Sequence, residues 1–213
     1  MIIAIDGPSG SGKSTVARAV GIALGLPVLE TGAMYRAVTF AALARGLAPD
    51  DGDALAALAT RLQLEVDDGV RVDGVDVTLD LRRVEVTAAV SAVAAVPGVR
   101  AALVARQRQW IATHGGGVVE GRDIGTVVAP DAALKVFLVA DEGDRASRRH
   151  TQEQVLGLEA TQEDLRRRDA FDSGRAASPL VVAADAVVVD TTGRSIDQVV
   201  AEVIARFREV VPR

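Results

Sequence analysis

One nine-residue stretch, GPSGSGKST from Gly7 to Thr15, constrains the fold of this 213-residue chain more than any other feature. It follows a short apolar run, Ile2 to Ile5, closed by Asp6, and precedes a segment in which Val16, Ala17, Val20, Ala23 and Leu24 recur at helical spacing. The first pattern reads as a buried parallel strand and the second as a helix. Gly7-x-x-x-x-Gly12-Lys13-Ser14 between a strand and a helix is the Walker A arrangement of a phosphate-binding loop. Its glycines let successive backbone N–H groups turn inward around an anion, and the helix N-terminus adds its positive dipole end. Lys13 is expected to reach the β- and γ-phosphates of a nucleoside triphosphate, and the Ser14 hydroxyl to ligate Mg²⁺. The loop says nothing about which molecule accepts the phosphoryl group.

Composition excludes several classes. The net charge of −5 argues against a nucleic-acid-binding face, which calls for a basic domain or stripe. With no cysteine there is no disulfide, thiol catalysis or Cys-ligated zinc. The N-terminal residues lack the basic and apolar regions of a secretory signal, and the longest uncharged stretch, Val86 to Val99, is too short to span a bilayer. A cytoplasmic protein with no membrane partner is expected.

Further along, Val28-Leu29, Val118-Val119, Leu134 to Val139 and Ala186 to Val189 read as short buried strands. Helical spacing covers Ala33–Ala44, a segment from a cap at Asp53 to about Leu62, and segments from about Arg82 and after Pro97 to Ile111. It returns around Asp144–His150, Gln162–Phe171 and Ser195–Val210. Strands alternating with helices predict a parallel sheet covered on both faces. Between Leu64 and Val77 the texture changes: short alternating segments are split by Asp67-Asp68-Gly69 and Asp73-Gly74, a hairpin signal. The expected architecture is one α/β domain, 1–213. Its core covers 1–62 and 99–213, a small antiparallel-sheet insertion about 63–98, and a short lid about 145–162.

Three regions could carry the acceptor site. Glu30-Thr31-Gly32-Ala33-Met34-Tyr35-Arg36 places Thr31 where a helix N-cap belongs, with Arg36 a turn later. Glu120-Gly121-Arg122-Asp123-Ile124-Gly125-Thr126 follows an apolar strand, at the carboxyl edge where open α/β sheets bind ligands. Arg145-x-x-Arg148-Arg149 and the run Arg166 to Arg175 gather arginines in an acidic chain, and Arg168, Asp172 and Arg175 share one face if helical. Plain structural readings exist for each: a capped helix with a solvated Arg, a salt-bridged turn, intrahelical ion pairs. For a Walker B acid, Val136 to Asp141, Val187 to Asp190 and Val118 to Glu120 all qualify, so the pattern does not choose among them.

Taken together these motifs resemble those of the bacterial cytidylate kinases, nearly end to end. The likeness rests on Gly7–Thr15, on Thr31-Gly32-Ala33-x-Tyr35-Arg36, on Gly74-x-Asp76-Val77-Thr78, and on Ser91-x-Val93-Ala94 with Pro97-x-Val99-Arg100. It continues through Gly121–Thr126, Arg145-x-x-Arg148-Arg149 and Arg168-Asp169-x-x-Asp172-Ser173-x-Arg175. The resemblance implies a P-loop kinase with a parallel central sheet flanked by helices, a monophosphate-binding insertion and an arginine-bearing lid. It implies transfer of the ATP γ-phosphoryl group to CMP or dCMP, with Mg²⁺, by a monomer. On that resemblance Gly7, Pro8, Ser9, Gly10, Ser11, Gly12, Lys13, Ser14 and Thr15 bind ATP with Arg145 and Arg148, and Ser14 holds the metal. Ser91, Arg100 and Asp123 face the cytosine; Asp172 with Arg168 addresses the ribose and its phosphate side. Thr31, Tyr35, Arg36, Arg122 and Arg175 line the acceptor pocket. Lys13, Arg122, Arg148, Arg149 and Arg168 stabilise the charge that moves in the reaction. Two residues depart from the usual pattern: Glu30 stands where Asp is common, and Phe171 sits between the acidic positions.

The base chemistry agrees with the resemblance. Cytosine offers an N4 amine that a carboxylate accepts from, whereas uracil would set O4 against Asp123, so CMP or dCMP is favoured over UMP. Other small-molecule P-loop kinases (UMP/CMP, adenylate or shikimate kinases) and a nucleotide-binding regulatory module without transfer activity are the competing readings. His114 and His150 read as surface or structural residues, and Trp110 as packing rather than a base-stacking platform.

Overall fold

Why the phosphate loop sits where it does follows from the strand before it. Ile3, Ala4 and Ile5 are fully buried, too apolar on both faces for anything but the middle of a covered sheet. In the computed structural model, which describes residues 1–153, 157–175 and 178–210, this strand, β1 (Ile2–Asp6), is the central one of five. The sheet also contains β2 (Val28–Glu30), β6 (Gly117–Gly121), β7 (Leu134–Val139) and β8 (Val187–Asp190), in the order β2-β6-β1-β7-β8. β1 pairs in parallel with β6 on one side and β7 on the other, and β7 pairs in parallel with β8. Because parallel neighbours need crossovers, helices cover the faces. The core is Val, Ile, Leu and Ala from the strands, packed against Val16, Ala17 and Val20 of α1 (Lys13–Leu24) and Val199, Val203 and Phe207 of α8 (Ile196–Val210).

The chain forms two compact units: residues 1–28 with 113–213, and residues 29–112. The first holds the five-stranded sheet's centre, α1, α8, α6 (Glu142–Glu153) and α7 (Leu158–Gly174). The second contains α2 (Thr31–Ala44), α3 (Gly52–Arg61), α4 (Val84–Ala95) and most of α5 (Pro97–His114). It also contains a three-stranded antiparallel sheet of β3 (Leu64–Glu65), β4 (Arg71–Val72) and β5 (Val75–Asp76). The Asp-Gly hairpin expected from the sequence is present: Asp73 and Gly74 both take positive φ, 51° and 81°, as a two-residue turn of this hand requires. Asp73 does more than turn, since its carboxylate accepts from the Gln63 N–H at 3.1 Å and pairs with Arg45 at 2.6 Å.

Helix boundaries differ from expectation in three places. The cap of α3 is Asp51, not Asp53; its side chain accepts from the Ala54 N–H at 3.1 Å, and Asp53 falls in the first turn, where a negative charge suits the dipole. Thr31 is the first helical residue of α2 rather than its N-cap, a position that Glu30 takes without a side-chain cap bond. Arg175 lies just past the end of α7 with extended backbone (φ −63°, ψ 134°), so it does not share a helical face with Arg168 and Asp172. The break between α4 and α5 falls at Val96-Pro97, because proline tolerates the first helical position and pushes its predecessor toward extended φ/ψ. The two helices turn by 93° there, and among the described residues no single helix is long and apolar enough to cross a membrane.

Candidate active site

The phosphate loop is built by close approach. Gly7 leaves the carboxyl end of β1 at φ 150°, and a Cβ there would lie 2.3 Å from the Leu138 carbonyl oxygen of β7, a distance no side chain survives. Gly10 and Gly12 also take positive φ, and α1 begins at Lys13. Lys13 is buried and curls back, its Nζ donating to the Pro8 carbonyl at 2.6 Å. Burial, then the nearby Arg122, pulls its pKa down to about 7, against the opposing pull of Glu120, Asp6 and Asp169.

The acid beside the loop could not be chosen from sequence; strand order chooses it. β6 lies next to β1, and at its end the Ser14 hydroxyl donates to Glu120 Oε1 at 2.9 Å. Of the three candidate apolar strands ending in an acid, Val118 to Glu120 is the one that meets the Walker A serine. Among the described residues no cluster of three or more His, Asp or Glu could hold a metal. The donor set here is instead one hydroxyl and one carboxylate, both hard oxygens of the kind Mg²⁺ takes alongside phosphate and water.

Two further carboxylates hold the loop's surroundings. Asp6 is buried, and its two oxygens accept the N–H groups of Ile124 and Gly125 at 2.9 and 2.8 Å. Burial pushes its pKa up to about 6 although those amides and Lys13 favour the charged form; Asp123 adds to the rise. Asp169 of α7 accepts from the Ser9 N–H at 3.0 Å and pairs with Arg145, which itself donates to the Ser9 carbonyl at 3.0 Å. Arg148 donates twice to Thr191, to its hydroxyl at 2.9 Å and its carbonyl at 2.7 Å, and Thr191 in turn reaches the Ser11 carbonyl at 3.4 Å. Arg145 thus contacts the loop directly, and Arg148 reaches it through Thr191. The lid outlined at about 145–162 includes residues 154–156, which lie outside the described residues.

Beyond the loop the first unit gathers a second positive cluster. Arg122 donates from Nε to Asp172 Oδ2 at 2.8 Å. Burial opposes its charge, but Asp172, then Glu120 and Asp169, outweigh it and hold the guanidinium charged. Asp172 is also buried, and Arg122, Arg175 and Arg168 keep it ionised, well below the usual carboxylate range. Arg175 Nε donates to the Asp172 carbonyl at 3.2 Å. Arg168 differs from these. Its Nε and Nη1 are buried and have no hydrogen-bond partner among the described residues. Burial, then Arg122 and Arg149, depress its pKa to about 10. Unsatisfied buried charge of this kind is costly. Asp123, buried, ends the turn after β6 and its carbonyl accepts from the Val127 and Val128 N–H groups.

The second unit carries its own set. Arg100 is buried, donates to the Ala94 carbonyl at 3.2 Å and lies with its guanidinium 5.3 Å from the Tyr35 ring centre, a cation–π contact. Arg36 donates to the Leu81 carbonyl at 2.8 Å and the Thr87 hydroxyl at 2.9 Å. Thr31 is buried and Ser91 half-buried on α4. Trp110 is buried and donates its indole N–H to Asp67 at 2.6 Å, which fits packing. His114 is exposed at the end of α5 and His150 half-buried on α6. Glu120, Asp6 and Asp169 are what sequence reasoning left unassigned; each depends on a neighbour more than a hundred residues away, although the acid closing each apolar strand was a visible signal for Glu120 and Asp6.

Comparison with known proteins decides the family. The cytidylate kinase family model matches residues 3–209. The chain belongs to the cytidylate kinase family. A cytidylate kinase of Mycolicibacterium paratuberculosis (strain ATCC BAA-968 / K-10) is 48% identical over 220 residues, covering 99% of this chain and 95% of that protein. A bifunctional pantoate ligase/cytidylate kinase of Synechococcus sp. (strain JA-2-3B'a(2-13)) is 49% identical over 224 residues, covering all of this chain but 41% of that protein. The chain therefore spans about two-fifths of the length of the bifunctional relatives it matches and nearly all of the others. The crystal structure of a gluconokinase from Sinorhizobium meliloti 1021 shares the fold, with a TM-score of 0.53, 19% identity and coverage of 98% of this chain and 91% of that one. That is the parallel-sheet kinase fold expected from the sequence.

Proposed function

We propose that this chain transfers the γ-phosphoryl group of ATP to CMP or dCMP, giving ADP and CDP or dCDP. The observation that carries this is the buried arginine cluster of Arg122, Arg168 and Arg175 around Asp172, in the same unit as a complete phosphate loop. A protein that only binds a triphosphate has no use for a second cationic pocket, whereas phosphoryl transfer needs one for the acceptor's phosphate.

The loop amides of residues 7–15 with Lys13 cradle the donor phosphates, and Arg145 and Arg148 complete that cradle from the side. Ser14 and Glu120 would hold Mg²⁺, which when bound neutralises charge on the donor phosphates. Arg122, Arg168 and Arg175 bind the acceptor phosphate, whose oxygen attacks in line; being already an anion, it needs no dedicated base, and the work is positioning. Arg149, close enough to Arg168 to lower its pKa, adds charge there. Asp172 keeps Arg122 charged, pairs with Arg175 at 3.8 Å and addresses the ribose. Asp123 accepts from cytosine N4; Ser91 and Arg100 donate to the ring; Thr31, Tyr35 and Arg36 complete the acceptor set. Exclusion of water by closure of the arginine-bearing helices suppresses ATP hydrolysis. The enzyme acts as a cytoplasmic monomer on free nucleotides.

The test is to incubate the protein with Mg·ATP and, separately, CMP, dCMP, UMP, AMP and shikimate, and to follow ADP. Release with the cytidine nucleotides alone is expected. Equal release with every acceptor, or with none, contradicts the proposal.

A further inference from the structure

Asp6 carries none of the roles above, yet it is among the most constrained polar residues of the first unit. It closes β1, directly before Gly7, and is 5% exposed. Both of its oxygens are used, one on the Ile124 N–H and one on the Gly125 N–H. The strand itself does not need this clamp: β1 and β6 are already joined along their ladder, up to the pair Asp6–Gly121. What the carboxylate holds is the segment after the ladder ends, the turn that opens with Arg122 and Asp123. Space around the turn is equally specified. A Cβ on Gly125 would lie 3.1 Å from Lys135 Cδ and 3.4 Å from Asp6 Oδ2, so the backbone rides directly on the carboxylate. Lys135 cannot replace it as an anchor, because its ammonium is spent on Asp185 at 2.8 Å.

We infer that Asp6 is a positioning residue for acceptor recognition, fixing the turn so that Arg122 and Asp123 are presented to the nucleoside monophosphate. This rests on the acceptor reading of Arg122 and Asp123 proposed above. A buried carboxylate is the right device because it accepts two neighbouring amides at once with charge-assisted bonds. An asparagine of the same shape has one acceptor and one donor, so it must set an NH₂ against one of the two N–H groups.

The experiment uses the full chain with Asp6→Asn and Asp6→Glu, measuring KM for CMP, KM for ATP, kcat and thermal unfolding, with amide hydrogen exchange of Ile124 and Gly125. In Asp6→Asn, KM for CMP is expected to rise by roughly ten- to a hundredfold, the scale of a small misplacement, while KM for ATP stays within about twofold. Exchange at Ile124 and Gly125 should quicken while Val119, inside β6, stays protected. Asp6→Glu keeps the charge and both acceptors but moves them by a methylene, so it should raise KM for CMP in the same selective way, and it decides the matter if Asp6→Asn does not fold. A proportional rise in both KM values, or quickened exchange with an unchanged KM for CMP, overturns the inference. A parent protein that turns over ATP with neither CMP nor dCMP, or equally with every acceptor, overturns the proposed function itself, and is told apart because the parent shows it without any substitution.

Discussion

The phosphate loop and the arginine cluster are both phosphate sites in the proposed function, and the same unit builds them by opposite means. The loop works through backbone N–H groups and one lysine, all within nine consecutive residues whose glycines set the path. The cluster works through side chains from three places: Arg122 after β6, Arg168 and Asp172 on α7, Arg175 beyond its end. Backbone donors in the loop are fixed by local geometry and keep their dipoles whatever else changes. The arginines must be carried into a buried site: Asp172 pairs with Arg122 and Arg175, whereas Nε and Nη1 of Arg168 have no hydrogen-bond partner among the described residues. One site is preformed by sequence; the other holds a buried charge that, in the proposed function, the acceptor phosphate would relieve.

That contrast can be broken at Lys13. Lys13→Ala should lower turnover by about 10²- to 10³-fold, the scale of losing one preorganised charge at a reacting centre, with circular dichroism unchanged. Unchanged turnover in a pure sample would remove the donor role of the loop.

Arg168→Met sharpens the contrast from the other side. Removing a buried, poorly paired charge in favour of an apolar chain of similar length should leave stability equal or raise it by about 1–4 kcal/mol. Turnover with CMP should fall roughly a hundredfold. A variant that is both less stable and fully active would make Arg168 a structural residue.

A smaller effect follows from the pKa of Lys13, about 7 in the folded protein against 10.5 ordinarily. Between those values the unfolded chain holds a proton that the folded one has released, so stability from this group rises with pH. Below pH 7 a buried, charged Lys13 costs stability in full, and the cost is gone above the ordinary value. Lys13→Met should therefore melt higher than the parent at pH 6, by roughly 2–4 °C per kcal/mol relieved, and the gap should narrow toward pH 10. A constant gap would show that Lys13 is not held against its charge.

Local chemistry explains which features could be read from the chain. The loop, the strand before it and the Asp73-Gly74 hairpin are written in adjacent residues, and each formed where its residues demanded. Choices between near-equal neighbours were not legible. Asp51 and Asp53 both suit a cap, and only the path of the preceding turn favours Asp51. Arg175 follows Asp172 by three residues, yet the helix ends at Gly174 and the side chain returns to Asp172 from outside it. The acid that meets Ser14 was hidden among three equivalent strand ends until strand order placed β6 beside β1. The partners of Asp6 and Asp169 could not be read for the same reason, since they are set by tertiary placement rather than spacing.

In the proposed function the identity of the acceptor turns on Asp123, and one ratio measures it: kcat/KM for CMP over kcat/KM for UMP, in the parent and in Asp123→Ala. A buried carboxylate reading the N4 amine should give the parent a strong preference, up to about 10⁴-fold for a polar site of this kind. In Asp123→Ala that ratio should fall by at least about tenfold, the worth of a single such contact. A variant whose CMP/UMP ratio equals the parent's would contradict the assignment of the acceptor site.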